Sequence, residues 1–151
     1  MASNEEVIST LNDLIETCHD GQEGFRSAAG GVGDEELRAL FLEYSRQRGS
    51  FAGELQAEVR RIGGEPETEG SVAAAIHRGW MDIKAAVTGA DDRSILTECE
   101  RGEAAALANY RAALGKDMPA GVRATVERQF AEVRDAHDHI SSLAGARGAG
   151  A

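Results

Sequence analysis

Apolar residues recur every three or four positions along almost the whole chain, and this helical period restricts the fold more than any other feature. Almost no stretch shows the strict apolar and polar alternation of a half-buried strand. Proline, which breaks helices, occurs only at Pro66 and Pro119. The sequence therefore predicts an all-α fold.

Helix start and stop signals divide the first half of the chain. Ser3 and Glu6 have the spacing of a capping box, so the first helix is predicted over residues 4 to 29. The glycines of residues 30–33 end it, and Asp34 is the predicted N-cap of a second helix. That helix ends at the run Gly63-Gly-Glu-Pro66. The first two helices are therefore antiparallel neighbours.

The second half of the chain repeats this arrangement. Asp91 and Asp92 cap a third helix, which ends at Gly115, and Pro119 lies in the first turn of a fourth. A single domain is predicted over residues 1–144, followed by a disordered Gly/Ala tail at 145–151.

The two helical hairpins are joined by residues 63–90, which are predicted to contain a short fifth helix. About sixteen helical residues span roughly 24 Å, about the length of the bundle they must follow. Two hairpins joined by one long crossover have the connectivity of a ferritin-like four-helix bundle.

Charge and composition restrict the partners. Sixteen Lys and Arg stand against twenty-six Asp and Glu, a net charge of -10, which disfavours binding to nucleic acid. The apolar stretches are too short to span a bilayer, and the N-terminus lacks a secretion signal, so we expect a cytoplasmic protein with no membrane role. Cys18 and Cys99 have no CxxC spacing and are interpreted as buried apolar residues. Whether they approach each other is left open.

Four blocks of the sequence carry a family resemblance: 11–25, 63–66, 70–84 and 98–103. They resemble the bacterial four-helix-bundle proteins of domain-of-unknown-function family 2383, over about residues 4 to 144. The resemblance implies the ferritin-like superfamily fold. It implies no activity, although kinship with these proteins suggests a stress-related setting.

A ferritin-like di-iron centre needs about four carboxylates and two histidines, with Glu-x-x-His on two helices. In the second and fourth predicted helices, no glutamate is followed three residues later by a histidine. Arg48 instead lies on an apolar stripe near mid-height. We therefore hypothesise that a core salt bridge from Arg48 to Glu103 or Glu100 replaces the metal centre. The alternative is that Arg48 extends from the edge of the stripe into solvent.

A divergent metal site is the competing hypothesis. Glu100 and Glu103 form a carboxylate pair one turn apart, and His137 lies on the apolar side of the last helix, with His19 as a further candidate ligand. Such a site would hold iron or manganese in a redox or iron-handling protein.

The favoured prediction is a non-catalytic bundle without cofactor that acts through self-association or a protein partner. Trp80 and Met81 make the crossover helix more apolar than a simple connection requires. They are predicted either to pack on their own bundle or to form a homodimer contact. No catalytic residue is assigned.

Overall fold

The computed structural model describes residues 3–67 and 91–149, which form four helices and no strand. We number them α1 (Asn4–Gly31), α2 (Glu35–Arg61), α3 (Asp92–Leu114) and α4 (Ala120–Ala149). The prediction of an all-α fold is confirmed. The predicted crossover helix lies outside the described residues, and so do Trp80 and Met81.

Side-chain caps begin three of the helices at the predicted residues. The Ser3 hydroxyl accepts a hydrogen bond from the Glu6 amide, and the Asp34 carboxylate accepts one from the Glu36 amide. Asp91 likewise accepts from the Ser94 amide at 2.8 Å. Each cap satisfies a backbone donor that has no partner within its helix.

Helix α2 ends in a Schellman motif. The Gly64 amide donates to the Val59 carbonyl and the Gly63 amide donates to the Arg60 carbonyl. Gly63 has a φ of 87°, a conformation that glycine adopts without steric cost. Gly64 is also tightly packed, since an added Cβ would lie 2.7 Å from the Ile8 Cδ1 atom.

The helices form two antiparallel hairpins. Helix α1 packs against α2 and α3, and α4 packs against α3 and α2. The Asp92 carboxylate accepts hydrogen bonds from the Gly33 and Asp34 amides, which attaches the start of α3 to the turn between α1 and α2. The four-helix bundle is therefore assembled as the helix order predicts.

Helix α4 continues through Ala149. The predicted start of the disordered tail, residue 145, lies within this helix, and residues 150–151 lie outside the described residues. Alanine and arginine, which occur in this last stretch, are strong helix formers. No helix of the described residues is long and apolar enough to cross a membrane.

The core consists of two apolar clusters, one at each end of the bundle. The first cluster includes Cys18, Phe51, Tyr110 and Val133. The second lies at the other end of the same four helices and includes Phe25, Phe41, Cys99 and Ile140. Between the two clusters lies a layer at mid-height that contains Arg48 and Glu103, and we call this layer the waist.

Candidate functional site: a buried ion pair at the waist

The waist contains a buried ion pair between α2 and α3. Arg48 is 1% exposed and Glu103 is 0% exposed. The guanidinium Nη1 donates to Glu103 Oε1, and Nη2 donates to Oε2 at 2.6 Å. This two-bond geometry matches the planar fork of arginine to the carboxylate and is the strongest form of the interaction.

Residues around Arg48 accommodate its long side chain. Gly21 of α1 lies so close that an added Cβ would be 3.2 Å from the Arg48 Cγ atom. The guanidinium carbon is 5.4 Å from the centroid of the Phe25 ring, a cation–π distance. The Nε–H group donates to the Gln47 side-chain oxygen at 3.3 Å. Each of the three guanidinium nitrogens therefore makes at least one hydrogen bond.

A second polar network lies next to the ion pair, at the edge of the first cluster. The Tyr110 hydroxyl donates to Gln129 Oε1 at 2.7 Å, and the Cys18 sulfur lies 3.2 Å from the same hydroxyl oxygen. The Gln129 amide nitrogen donates to the Phe51 carbonyl and to Glu54 Oε1. Since the single hydroxyl proton of Tyr110 goes to Gln129, the Cys18 thiol is the donor to Tyr110. These buried polar groups thus satisfy one another.

Burial and charge set the protonation states at the waist. Burial would lower the pKa of the Arg48 guanidinium, but the Glu103 carboxylate more than offsets this and raises that pKa. Burial raises the pKa of the Cys18 thiol to about 11 and holds the pKa of Tyr110 well above its usual 10.0. At neutral pH the Arg48 guanidinium is charged, and the thiol and phenol are neutral.

These residues do not fit a di-metal centre. Two divalent ions require about four carboxylates and two histidines. Between the two clusters, the buried residues are Asp20 and Gly21 on α1, Ser45 and Arg48 on α2, Gly102 and Glu103 on α3, and Ala136 on α4. This set holds two carboxylates and no histidine, and the carboxylate of Glu103 is bonded through both oxygens to a guanidinium. Over residues 3–67 and 91–149, no three His, Cys, Asp or Glu side chains form a group that could hold a metal ion.

The other predicted ligands lie away from the ion pair. Glu100 is partly exposed, and no bond to Arg48 is found for it within the described part of the chain. The His137 side chain is 24% exposed, and its Nδ1 lies 3.2 Å from Asp138 Oδ1. The interpretation of His137 as an inward-facing residue is wrong, because the α4 stripe turns inward at Ala136 and Ile140 instead.

His19 is part of a Glu-x-x-His motif that lies outside the second and fourth helices. Glu16 and His19 on α1 have the Glu-x-x-His spacing. Glu16 lines a groove of about 260 Å³ between α1 and α3, but His19 is not among the lining residues. The His19 Nε2 atom is buried without a hydrogen-bond partner among the described residues.

Sequence reasoning also missed the roles of Gly21 and Tyr110. Gly21 carries a signal, since a glycine inside a helix costs stability unless close packing requires it. Gln129 carries another, because it interrupts an apolar stripe of valines. Both cysteines are buried and free.

The helix connectivity and the buried core define a ferritin-like four-helix bundle. The chain belongs to the family described as Domain of unknown function (DUF2383), whose model matches residues 6–116. No curated protein matches the sequence.

Similar solved structures agree on the fold. A two-domain protein from Anabaena variabilis with DJ-1/ThiJ/PfpI-like and ferritin-like domains has a TM-score of 0.79 at 18% identity. The match covers 97% of this chain and 41% of that longer protein. A Dps1 mutant from Mycobacterium smegmatis has a TM-score of 0.79 at 14% identity, covering 93% of this chain and 96% of that one.

A DPS protein from Vibrio cholerae O1 is described as a member of a broad superfamily of ferritin-like diiron-carboxylate proteins. Its TM-score is 0.74 at 18% identity, and the match covers 93% of this chain and 89% of that one. At these identities the likeness establishes the fold alone.

Proposed function

We propose that this protein is a metal-independent member of the ferritin-like bundles, and that it acts by self-association rather than by catalysis. The observation that carries the proposal is the Arg48–Glu103 ion pair at the waist. It occupies the level at which a di-metal centre of the bundle type is built from inward carboxylates.

Electrostatics favours this proposal. Two divalent ions bring four positive charges, which buried carboxylates must neutralise. At the waist the guanidinium of Arg48 already neutralises Glu103, so an entering cation would meet a fixed positive charge. The ion pair replaces the charge balance of a metal centre with one that needs no ion.

The surface is therefore where a function must be sought. Among the large apolar side chains of the described residues, only Leu42 is exposed, at 44%. A single exposed leucine is ordinary for a monomer. Association through the described surface must consequently use charged and polar contacts, while Trp80 and Met81 stay predicted contact residues outside it.

Metal analysis tests the metal-independent part of the proposal. Protein purified without chelator is analysed for iron and manganese before and after anaerobic reconstitution with Fe(II), and its thermal midpoint is recorded. We expect no stoichiometric metal and no shift of the midpoint, whereas ligand at a hundred times its Kd would stabilise the fold by about 2.7 kcal/mol.

Variants locate any metal that does bind. Iron or manganese lost in Glu103→Ala would contradict the proposal and support an iron-handling or redox protein with a site at the waist. Metal lost in His19→Ala would contradict it equally and place the site on α1. The control is Glu23→Ala, whose side chain is 68% exposed.

Sedimentation equilibrium tests self-association. We expect the mean mass to rise from the 16.0 kDa of one chain as concentration increases. A constant mass of one chain up to the highest soluble concentration would contradict the proposed role.

A further inference from the structure

Two arginines from different helices meet at one aromatic ring. The guanidinium carbon of Arg111 on α3 is 5.7 Å from the centroid of Phe130 on α4, and that of Arg134 is 6.0 Å from it. Both arginines are exposed, and Phe130 is partly buried against the first cluster. We call these three residues the arginine–phenylalanine patch.

The charges of this patch are not neutralised within the described residues. Several other surface arginines form ion pairs with glutamates, for example Arg26 with Glu23 and Arg128 with Glu54. Neither Arg111 nor Arg134 has an acidic partner in the described part of the chain. In a protein with a net charge of -10, this concentration of positive charge favours an acidic partner.

The end of α2 carries a group of complementary charge. Glu65 and Glu67 are exposed and have no ion-pair partner among the residues described. Their backbone is held in place: Asn12 donates to the Glu65 carbonyl and accepts from the Glu67 amide, and Gln56 donates to the Glu67 carbonyl at 3.0 Å. We call residues 65–67 the acidic turn.

The two surfaces match in charge, number and order. The acidic turn has Pro66 between two carboxylates, and the patch has Phe130 between two guanidiniums. The guanidinium carbons are no further apart than twice 6.0 Å. Residues i and i+2 of an extended chain are separated by about 6.6 Å, so the long side chains of both surfaces can reach their partners.

Preorganisation adds to this complementarity. The acidic turn is already held by Asn12 and Gln56, so docking would order few additional groups. The turn is fastened to α1 and α2, whereas the patch lies on α3 and α4. The two surfaces therefore belong to different sides of the bundle and are suited to meet between molecules.

We propose that the acidic turn of one copy docks on the arginine–phenylalanine patch of a second copy, in a head-to-tail contact. This inference rests on the proposed self-association and names its surface. Because the two surfaces lie on different sides of the bundle, two copies cannot form both contacts with each other at once; the contact is heterologous and generates rings or open filaments rather than a two-fold dimer. Because it is ionic, added salt weakens it.

Charge reversal tests the contact. One variant carries Arg111→Glu and Arg134→Glu, a second carries Glu65→Arg and Glu67→Arg, and a third combines all four changes. Sedimentation velocity measures association, and circular dichroism checks that each variant is folded. The control, Arg46→Glu with Arg93→Glu, changes two exposed arginines and has the same net charge as the first variant.

We expect each of the first two variants to associate at least about tenfold more weakly than the wild type or the control. Mixed in equal amounts, they should associate again, because the acidic turn of the first variant docks on the intact patch of the second and the two reversed surfaces also have opposite charges. The fourfold variant, in which the charges are exchanged, should associate again.

The results separate this inference from the proposed function. A wild type that associates with reversal effects no larger than the control keeps the proposed self-association and overturns the head-to-tail contact. Failure of both the mixture and the fourfold variant to associate overturns the contact as well. A wild type that is monomeric overturns both proposals.

Discussion

Removing one member of the waist ion pair should be far more damaging than removing both. Arg48→Met leaves the Glu103 carboxylate buried without a counter-charge, and Glu103→Leu leaves the guanidinium in the same position. The side chains are 2% and 0% exposed, so neither charge can be solvated by a small movement. Each single variant should lose about 3–5 kcal/mol of unfolding free energy.

The double variant, Arg48→Met with Glu103→Leu, should differ from the wild type by no more than about 1 kcal/mol, or be more stable. Apolar residues of similar volume need no desolvation, and they would join the two apolar clusters into one. Urea unfolding followed by circular dichroism at one pH provides all four free energies of the cycle. The matched control is the exposed pair Arg26 and Glu23, for which a single change should cost less than about 1 kcal/mol.

Two results would refute the reasoning. If the single waist variants cost no more than the surface control, the ion pair is not buried in solution. If the double variant loses as much as both singles together, the two charges do not compensate each other. A helical circular dichroism spectrum for each variant ensures that the free energies refer to the same fold.

Three further predictions concern the residues around the ion pair. Burial raises the pKa of the Cys18 thiol from 9.0 to about 11, so the folded state should lose up to roughly 3 kcal/mol of unfolding free energy as pH rises from 9 to 11. Cys18→Ala should reduce this alkaline loss, as measured by urea titrations. Gly21→Ala should destabilise the fold by about 1–2 kcal/mol through overpacking against Arg48, whereas Gly53→Ala, with open space around it, should stabilise it by about 0.5–1 kcal/mol in the same assay. Tyr110→Phe should cost about 1–3 kcal/mol in urea unfolding by leaving two buried polar partners unsatisfied, and an unchanged free energy would contradict the network.

The helices and their order follow from local signals in the sequence. Ser3, Asp34 and Asp91 are predicted caps, and each accepts the expected backbone hydrogen bond. Capping involves residues within about one turn of each other, so it can be read without knowing the rest of the fold.

The candidate site could be predicted only in part. The apolar stripe of α2 identifies Arg48 as a buried charge, and buried charge requires a partner, so an acidic residue on a facing helix could be expected. The sequence left Glu100 and Glu103 as alternatives. It also misplaced His137, since the orientation of one residue at the edge of a stripe depends on how the helix is rotated against its neighbours.

The periodicity, the caps and the turns by themselves determine that this chain forms four helices in two hairpins, with an arginine on the apolar stripe of the second. Tertiary structure decided that Glu103, and not Glu100, neutralises that charge, and that Tyr110 and Gln129 join the neighbouring network. The physical reason is helix register. Residues three apart on α3 differ in height by about 4.5 Å, so the packing of helices distant in sequence selects the carboxylate that reaches Arg48.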